Sequence, residues 1–295
     1  MQTHPAPTAR PGPALEATLA AAFEASGVGL HTGATVRARV CPAPPRTGLH
    51  LVRVDRPGAP TIPATLANVR STRLATTLAV GDVGVSTVEH LIAALVAAGI
   101  DNARVEVDGP ELPVLDGSAR PWVRHIDAAG RREQATPARH LVVRRHVEVS
   151  SGARRMALHP APALTLSATV DFPHPLIGAQ HLALPLTAAS FRAELAWART
   201  FGFLRDIEAL REAGLALGGT LSNAVVYDRV GVVNPDGLRA EDEPVRHKLL
   251  DVVGDLGLLG ARLVGRVEAT RPGHGLTHAL LRALLADPGA YTLTP

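Results

Sequence analysis

The stretch that organises the chain is Glu243-Pro244-Val245-Arg246-His247-Lys248-Leu249-Leu250-Asp251-Val252-Val253-Gly254-Asp255-Leu256. It predicts a helix running on to about Leu259. Pro244 suits the first helical position, where a missing N–H costs nothing, and Glu241, Asp242 and Glu243 suit the positive end of the helix dipole. Residues four apart share a helix face. His247, Asp251 and Asp255 therefore form one polar stripe, and Leu249, Leu250, Val252, Val253 and Leu256 cover the rest. A His with an Asp one turn on equally describes a buried, satisfied pair; the third polar group on the stripe points to a site. Lys248, inside the stretch, is the only lysine beside 29 arginines. Its compact ammonium differs from the planar guanidinium fork used everywhere else.

Outward from this helix, the chain has 295 residues, 46% hydrophobic and 19% charged, enough for one large domain or two ordinary ones with ample core. Aromatics are only 3%, so Leu, Val and Ala must fill the interior. The net charge of +3 is modest, and no Lys/Arg block with interleaved aromatics occurs. That balance favours a local anionic ligand over nucleic acid. Cys41 is the single cysteine, which excludes an intrachain disulfide and suits a reducing compartment. Leu91–Ile100 is apolar but too short for a membrane span, and no signal segment precedes it. The expected location is cytoplasmic.

Residues 1–14, proline-rich, read as a disordered tail. Strands are expected at Ala34–Val40, Leu49–Val54 and Ala103–Val107, and a helix at Ser86–Ala98 from its Val88, Leu91, Ile92, Leu95, Val96 spacing. The polar stretch around Gly130-Arg131-Arg132-Glu133-Gln134 reads as a linker, 129–139. It separates an N-terminal half, 15–128, from a C-terminal half, 140–295. In the second half strands are expected at Leu141–Val149, Arg155–Leu158 and Leu164–Val170. Helices are expected at Ala188–Trp197, Leu204–Ala213, Pro244–Leu259 and Leu276–Leu285. Clustered rather than alternating strands and helices argue an α+β fold, and each half places a His-bearing helix after its strands.

Three further segments carry candidate chemistry. In Ser86-Thr87-Val88-Glu89-His90, Ser86 and Glu89 have capping-box spacing, a structural role. The functional alternative makes His90 a metal ligand and Glu89 a general base. His90, His247 and Asp251 would give the three-donor set of a catalytic zinc, bridging the halves; iron and cobalt accept the same donors. His274, in Pro272-Gly273-His274-Gly275, precedes the last helix, whose N-terminus disfavours a cation. With Asp255 as carboxylate partner it becomes a general acid or oxyanion stabiliser. Arg199-Thr200-Phe201-Gly202-Phe203 concentrates two of five phenylalanines beside a hydroxyl, the makings of either core or a ligand wall.

Together with Ser26-Gly27-Val28-Gly29-Leu30-His31-Thr32-Gly33 and Leu115-Asp116-Gly117-Ser118, these segments form six collinear motifs over residues 24–287. The chain resembles the zinc-dependent UDP-3-O-acyl-N-acetylglucosamine deacetylases of lipid A biosynthesis. That resemblance implies two related α/β-sandwich domains, helices packed between two sheets, and an active site between the domains. It implies one Zn2+ per chain on His90, His247 and Asp251, with Glu89 as base. It also implies His274 as acid or electrophile, Asp255 as its orienter, Thr200 and Lys248 at the oxyanion beside the scissile amide, and Lys248, Phe201, Phe203 and Arg271 on the acylated UDP-amino sugar. The stretch 203–227 would line an acyl passage, and the enzyme would be a monomer. Two departures stand out. His278 adds a second histidine near the site, and Arg73 and Ala75 stand where Met and Cys are usual. The rival readings are a metal amidase for another acylated sugar nucleotide, and an inactive relative binding nucleotide or RNA through its arginines. Metal content separates them.

Overall fold

Alternation writes the first sheet. In Thr35–Pro42, Val36, Ala38 and Val40 are buried while Thr35, Arg37 and Arg39 are exposed, the period of a strand with one solvated face. The computed structural model describes residues 14–294. The expected tail lies outside that range except for Ala14, whose carbonyl accepts from the Ala138 N–H at 2.8 Å.

Thr35–Pro42 pairs antiparallel with both Phe23–Val28 and Ala103–Val107; the latter runs parallel to Leu49–Arg53, which pairs antiparallel with Thr61–Pro63. The second half repeats this plan. Arg154–His159 pairs antiparallel with Val147–Ser151 and Arg266–Thr270; the latter runs parallel to Thr165–Phe172, itself antiparallel to Gly178–Pro185. In both sheets the central strand is the last to enter, so the two halves share one topology.

Six helices accompany the sheets among the described residues: α1 Glu89–Ala97, α2 Arg120–Ala129, α3 Ala188–Ser190, α4 Leu204–Glu212, α5 Glu243–Leu256 and α6 His274–Ala286. The α1 and α5 helices pack on each other, with α5 also against Thr165–Phe172 and α6 against Val147–Ser151. The apolar remainder of α5 is buried as its pattern requires. Each such Leu or Val contributes about 1.5–3 kcal/mol relative to exposure, which holds the polar stripe out of water. Gly254 sets how close the helices come: a Cβ there would lie 2.2 Å from the Glu89 carbonyl oxygen.

Several expectations shift. The stretch read as a linker is sheeted: Arg131–Pro137 pairs antiparallel with Leu15–Leu19, because its alternating side chains let an exposed edge strand form despite its polarity. The single strand expected over Leu141–Val149 splits in two. His140–Val143 joins Arg262–Val264 and Tyr291–Thr294, and the break falls at Arg144-Arg145, whose N–H groups both bond the Ala290 carbonyl. The helix expected from Ser86 starts only at Glu89, since Ser86 bridges Glu111 and Thr87 sits at φ +56°. The helix expected over Ala188–Trp197 opens on a Thr187–Ser190 capping box and passes into a π turn at Phe191–Leu195.

Candidate active site

The α1–α5 crossing brings three expected donors together. His90 Nε2 and His247 Nε2 lie 3.6 and 3.4 Å from Asp251 Oδ1, and the two rings meet edge-on with centroids 5.0 Å apart. A tetrahedral ion with bonds of about 2.0–2.2 Å spaces its donors by roughly 3.4 Å, so the set fits one cation. All three residues are buried. His247 Nδ1 lies 3.0 Å from the Ala198 carbonyl oxygen, which takes its hydrogen and leaves the Nε2 lone pair facing the centre. Lys248 Nζ donates to Asp251 Oδ2 at 2.8 Å, so the carboxylate is braced on one oxygen and offers the other.

Glu89 does not cap its own helix. Its Oε2 accepts from the Thr76 N–H at 3.1 Å, and its Oε1 lies 3.5 Å from His274 Nε2. The other His274 nitrogen, Nδ1, is 2.9 Å from Asp255 Oδ2. Asp255 Oδ1 accepts from Thr76 Oγ1 at 2.7 Å. His278 Nε2 is 3.0 Å from that same oxygen, but off the axis of a good hydrogen bond. Thr76 thus touches both carboxylates that flank His274.

Electrostatics divide the site into two roles. Burial drives the Glu89 carboxyl above its ordinary value, against the pull of His274 and His90, a direction that suits a proton acceptor. Burial also pushes the His247 pKa down to about 4, against Asp251, and so keeps the ring neutral and able to ligate. His274 goes the other way. Burial disfavours its cation, yet Asp255 and then Glu89 reverse this and raise it to about 10. The helix N-terminus, expected to lower it, is outweighed by two adjacent carboxylates. Asp255 and Asp251, though buried, are held low by the groups beside them, the His274 cation for Asp255 and the His247 ring with the Lys248 ammonium for Asp251.

The wall beside this centre is a cavity of about 390 Å³ lined by Leu30, Thr200, Phe203, Ile207, Leu210 and Leu221 among others. The Phe201–Phe203 strand pairs parallel with Val225–Tyr227, and α4 follows it, so residues of the 203–227 stretch line one side of this apolar space. Thr200 is fixed by backbone bonds to the Gly117 carbonyl and from the Val225 N–H, both 2.8 Å. Gly117, at φ +82° and with no room for a Cβ against the Asn223 carbonyl, is what admits that approach.

Residues 16–286 match the family model described as LpxC: UDP-3-O-acyl N-acetylglycosamine deacetylase. The chain belongs to this family. It is similar to the UDP-3-O-acyl-N-acetylglucosamine deacetylase of Myxococcus xanthus, 48% identical over 97% of this chain and 91% of the relative. The protein of the same name from Phenylobacterium zucineum is 52% identical over 90% and 92%. That from Citrifermentans bemidjiense is 48% identical over 91% and 88%.

Other members of the expected set lie along the cavities beside the three-donor centre. Phe201 stacks edge-on against Phe172 at 5.4 Å, with Lys248 Nζ 5.6 Å from its ring centroid. Phe203 joins Phe172 and Tyr227 in the same aromatic group. An adjoining cavity of about 490 Å³ is lined by Lys248, Phe201, Arg154, Asp171 and Arg271. Arg271 pairs with Asp171 there, at φ +50°.

Sequence reasoning missed two supports. Buried Glu111 accepts from the His31 N–H (3.0 Å), from the Thr32 N–H and hydroxyl (both 2.8 Å), and from the Thr87 hydroxyl (2.7 Å). It thereby ties the Gly29–Thr32 loop to the strained residue two before Glu89. The signal was a carboxylate set between Pro110 and Pro113 in an otherwise apolar run. Thr76, the second support, carries no local signal because its partners lie 13, 179 and 198 positions away.

Proposed function

We propose that this chain hydrolyses the N-acetyl group of UDP-3-O-(3-hydroxyacyl)-N-acetylglucosamine, releasing acetate, as the committed step of lipid A biosynthesis. The reading carries with it one zinc ion per chain, a cytoplasmic monomer, and two halves, 15–128 and 140–295, meeting at the site. The observation that carries it is the pairing of a buried base, Glu89, with a buried cation, His274, beside three converging donors. Among the described residues no helix is long and apolar enough to cross a membrane.

His90, His247 and Asp251 would hold the zinc ion, which when bound would supply Lewis acidity toward water and the acetyl carbonyl. Glu89 takes a proton from the attacking water as the C–O bond forms. The His274 cation, oriented by Asp255, stabilises the negative charge that grows on the carbonyl oxygen, with Thr200 on the cavity side. Proton delivery to the sugar nitrogen from His274 or Glu89 accompanies C–N cleavage, and acetate and the free amine leave. The apolar cavity behind Phe203 takes the acyl chain, the Arg271 side takes the nucleotide diphosphate, and Lys248 meets the substrate near the scissile amide. Measuring acetate release from the acylated sugar nucleotide, together with bound metal, tests this directly. Stoichiometric zinc with turnover is expected; folded, metal-free protein without turnover would refute it.

A further inference from the structure

On the outward face of the second sheet two imidazoles that the centre above does not use lie against each other. His146 immediately precedes Val147–Ser151, and His159 ends Arg154–His159. The antiparallel register pairs Val147 with Leu158, so one step further makes His146 and His159 direct cross-strand neighbours. Met156 and Leu158 point inward, toward the side covered by α6, and both histidines point to solvent. Their Nδ1 atoms lie 3.2 Å apart.

Each ring has a carboxylate on its other nitrogen. His146 Nε2 is 3.2 Å from Glu148 Oε2, and His159 Nε2 is 3.1 Å from Glu268 Oε2. Carboxylate oxygens only accept, so each Nε2 carries its hydrogen, and in a neutral ring Nδ1 is then a bare lone pair. With both rings neutral, two such lone pairs converge across 3.2 Å, a contact that becomes favourable when a proton or a metal cation lies between them.

We propose that His146 and His159 chelate a divalent transition cation of the zinc, nickel or copper class through their Nδ1 atoms. Metal–nitrogen bonds of about 2.0–2.1 Å spanning that gap subtend roughly 100°, within the range of tetrahedral and cis-octahedral geometry. The carboxylate–imidazole–metal order on both sides is the arrangement that fixes tautomer and raises ligand basicity. Each carboxylate also answers an arginine: Arg155 Nη2 is 2.5 Å from Glu148 Oε2, and Arg266 Nη1 is 3.1 Å from Glu268 Oε1. The carboxylates are therefore committed, the cluster has no net charge with neutral rings, and hard oxygen-seeking cations have nothing to bind. Imidazole donors select the borderline metals instead. Both side chains are reachable from solvent, which supplies the remaining ligands.

The test is a titration of the full chain, first given one equivalent of zinc for the three-donor centre, with Cu2+ followed by electron paramagnetic resonance and calorimetry. The expected result is a copper equivalent with two-nitrogen superhyperfine structure. It should vanish in His146→Ala and His159→Ala with acetate release unchanged, and weaken roughly 10–100-fold in Glu268→Gln. No copper equivalent in the wild-type chain, or one that survives both alanine variants, would overturn the proposal. The wild-type spectrum decides the matter even where a variant fails to fold.

Discussion

Glu89 Oε1 and His274 Nε2 lie 3.5 Å apart, the proposed base on a helix of the first half and its proposed cationic partner at the start of the last helix of the second. Neither charge is tolerable in a buried setting alone, and each holds the other in its working form: the Glu89 carboxylate favours the His274 cation and is itself favoured by it. Removing the base while keeping its shape therefore separates chemistry from assembly. Glu89→Gln should keep the metal and lose about 10²–10⁴-fold in kcat. Near-normal turnover, measured by acetate release, would remove Glu89 from the reaction.

The same pair sets the pH dependence. His274 is raised to about 10, so its cation persists across neutral pH, and its stability contribution is fully present below the unfolded imidazole value of about 6.5. That contribution is lost as pH rises through about 10. The alkaline limb of kcat/KM should therefore lie near 10 and move in His274→Gln. A limb at the free imidazole value would show that the carboxylates do not hold the proton.

Lys248 braces Asp251 Oδ2 at 2.8 Å and lies over the Phe201 ring. Arginine is longer and planar, so Lys248→Arg should break the brace or displace the ring. Loss of one charge-assisted hydrogen bond, about 1.5–3 kcal/mol, corresponds to a roughly 10- to 100-fold fall in kcat/KM. Unchanged kinetics would mean that the lone lysine is incidental.

Arg199 and Glu243 form a buried bidentate pair, Nε to Oε1 at 2.9 Å and Nη2 to Oε2 at 3.0 Å, that ties the residue before Thr200 to the first turn of α5. Burial disfavours the carboxylate, but bonds from Arg199 and Arg239 hold its pKa low, so its stabilisation is present above about pH 4.3 and lost in more acid solution. Glu243→Ala leaves a buried guanidinium and should cost about 3–5 kcal/mol, read from denaturant melts. A change below 1 kcal/mol would contradict it.

How much of this was legible in the sequence follows from the range of each interaction. The α5 stripe His247, Asp251, Asp255 was readable because helix periodicity alone aligns it, and the repeated plan of strands followed by a His-bearing helix foreshadowed two equivalent halves. Position 86 misled, since its capping-box spacing is local while the force that bends Thr87 out of helix is its bond to Glu111, 24 positions on. The pairing of Arg131–Pro137 with Leu15–Leu19 was likewise invisible, because an exposed edge strand has no apolar face to announce it. Thr76 enters the site only through folding, whereas His278, expected near the site, lies beside Asp255 from one turn beyond His274.

The central claim is that one ion is shared between His90 of the first half and His247 and Asp251 of the second. Anomalous diffraction at the zinc edge from crystals of the purified chain tests it most directly. The account predicts a peak within about 2.0–2.2 Å of His90 Nε2, His247 Nε2 and Asp251 Oδ1. A purified, active enzyme with no peak there, or with those imidazoles turned away from it, would contradict it.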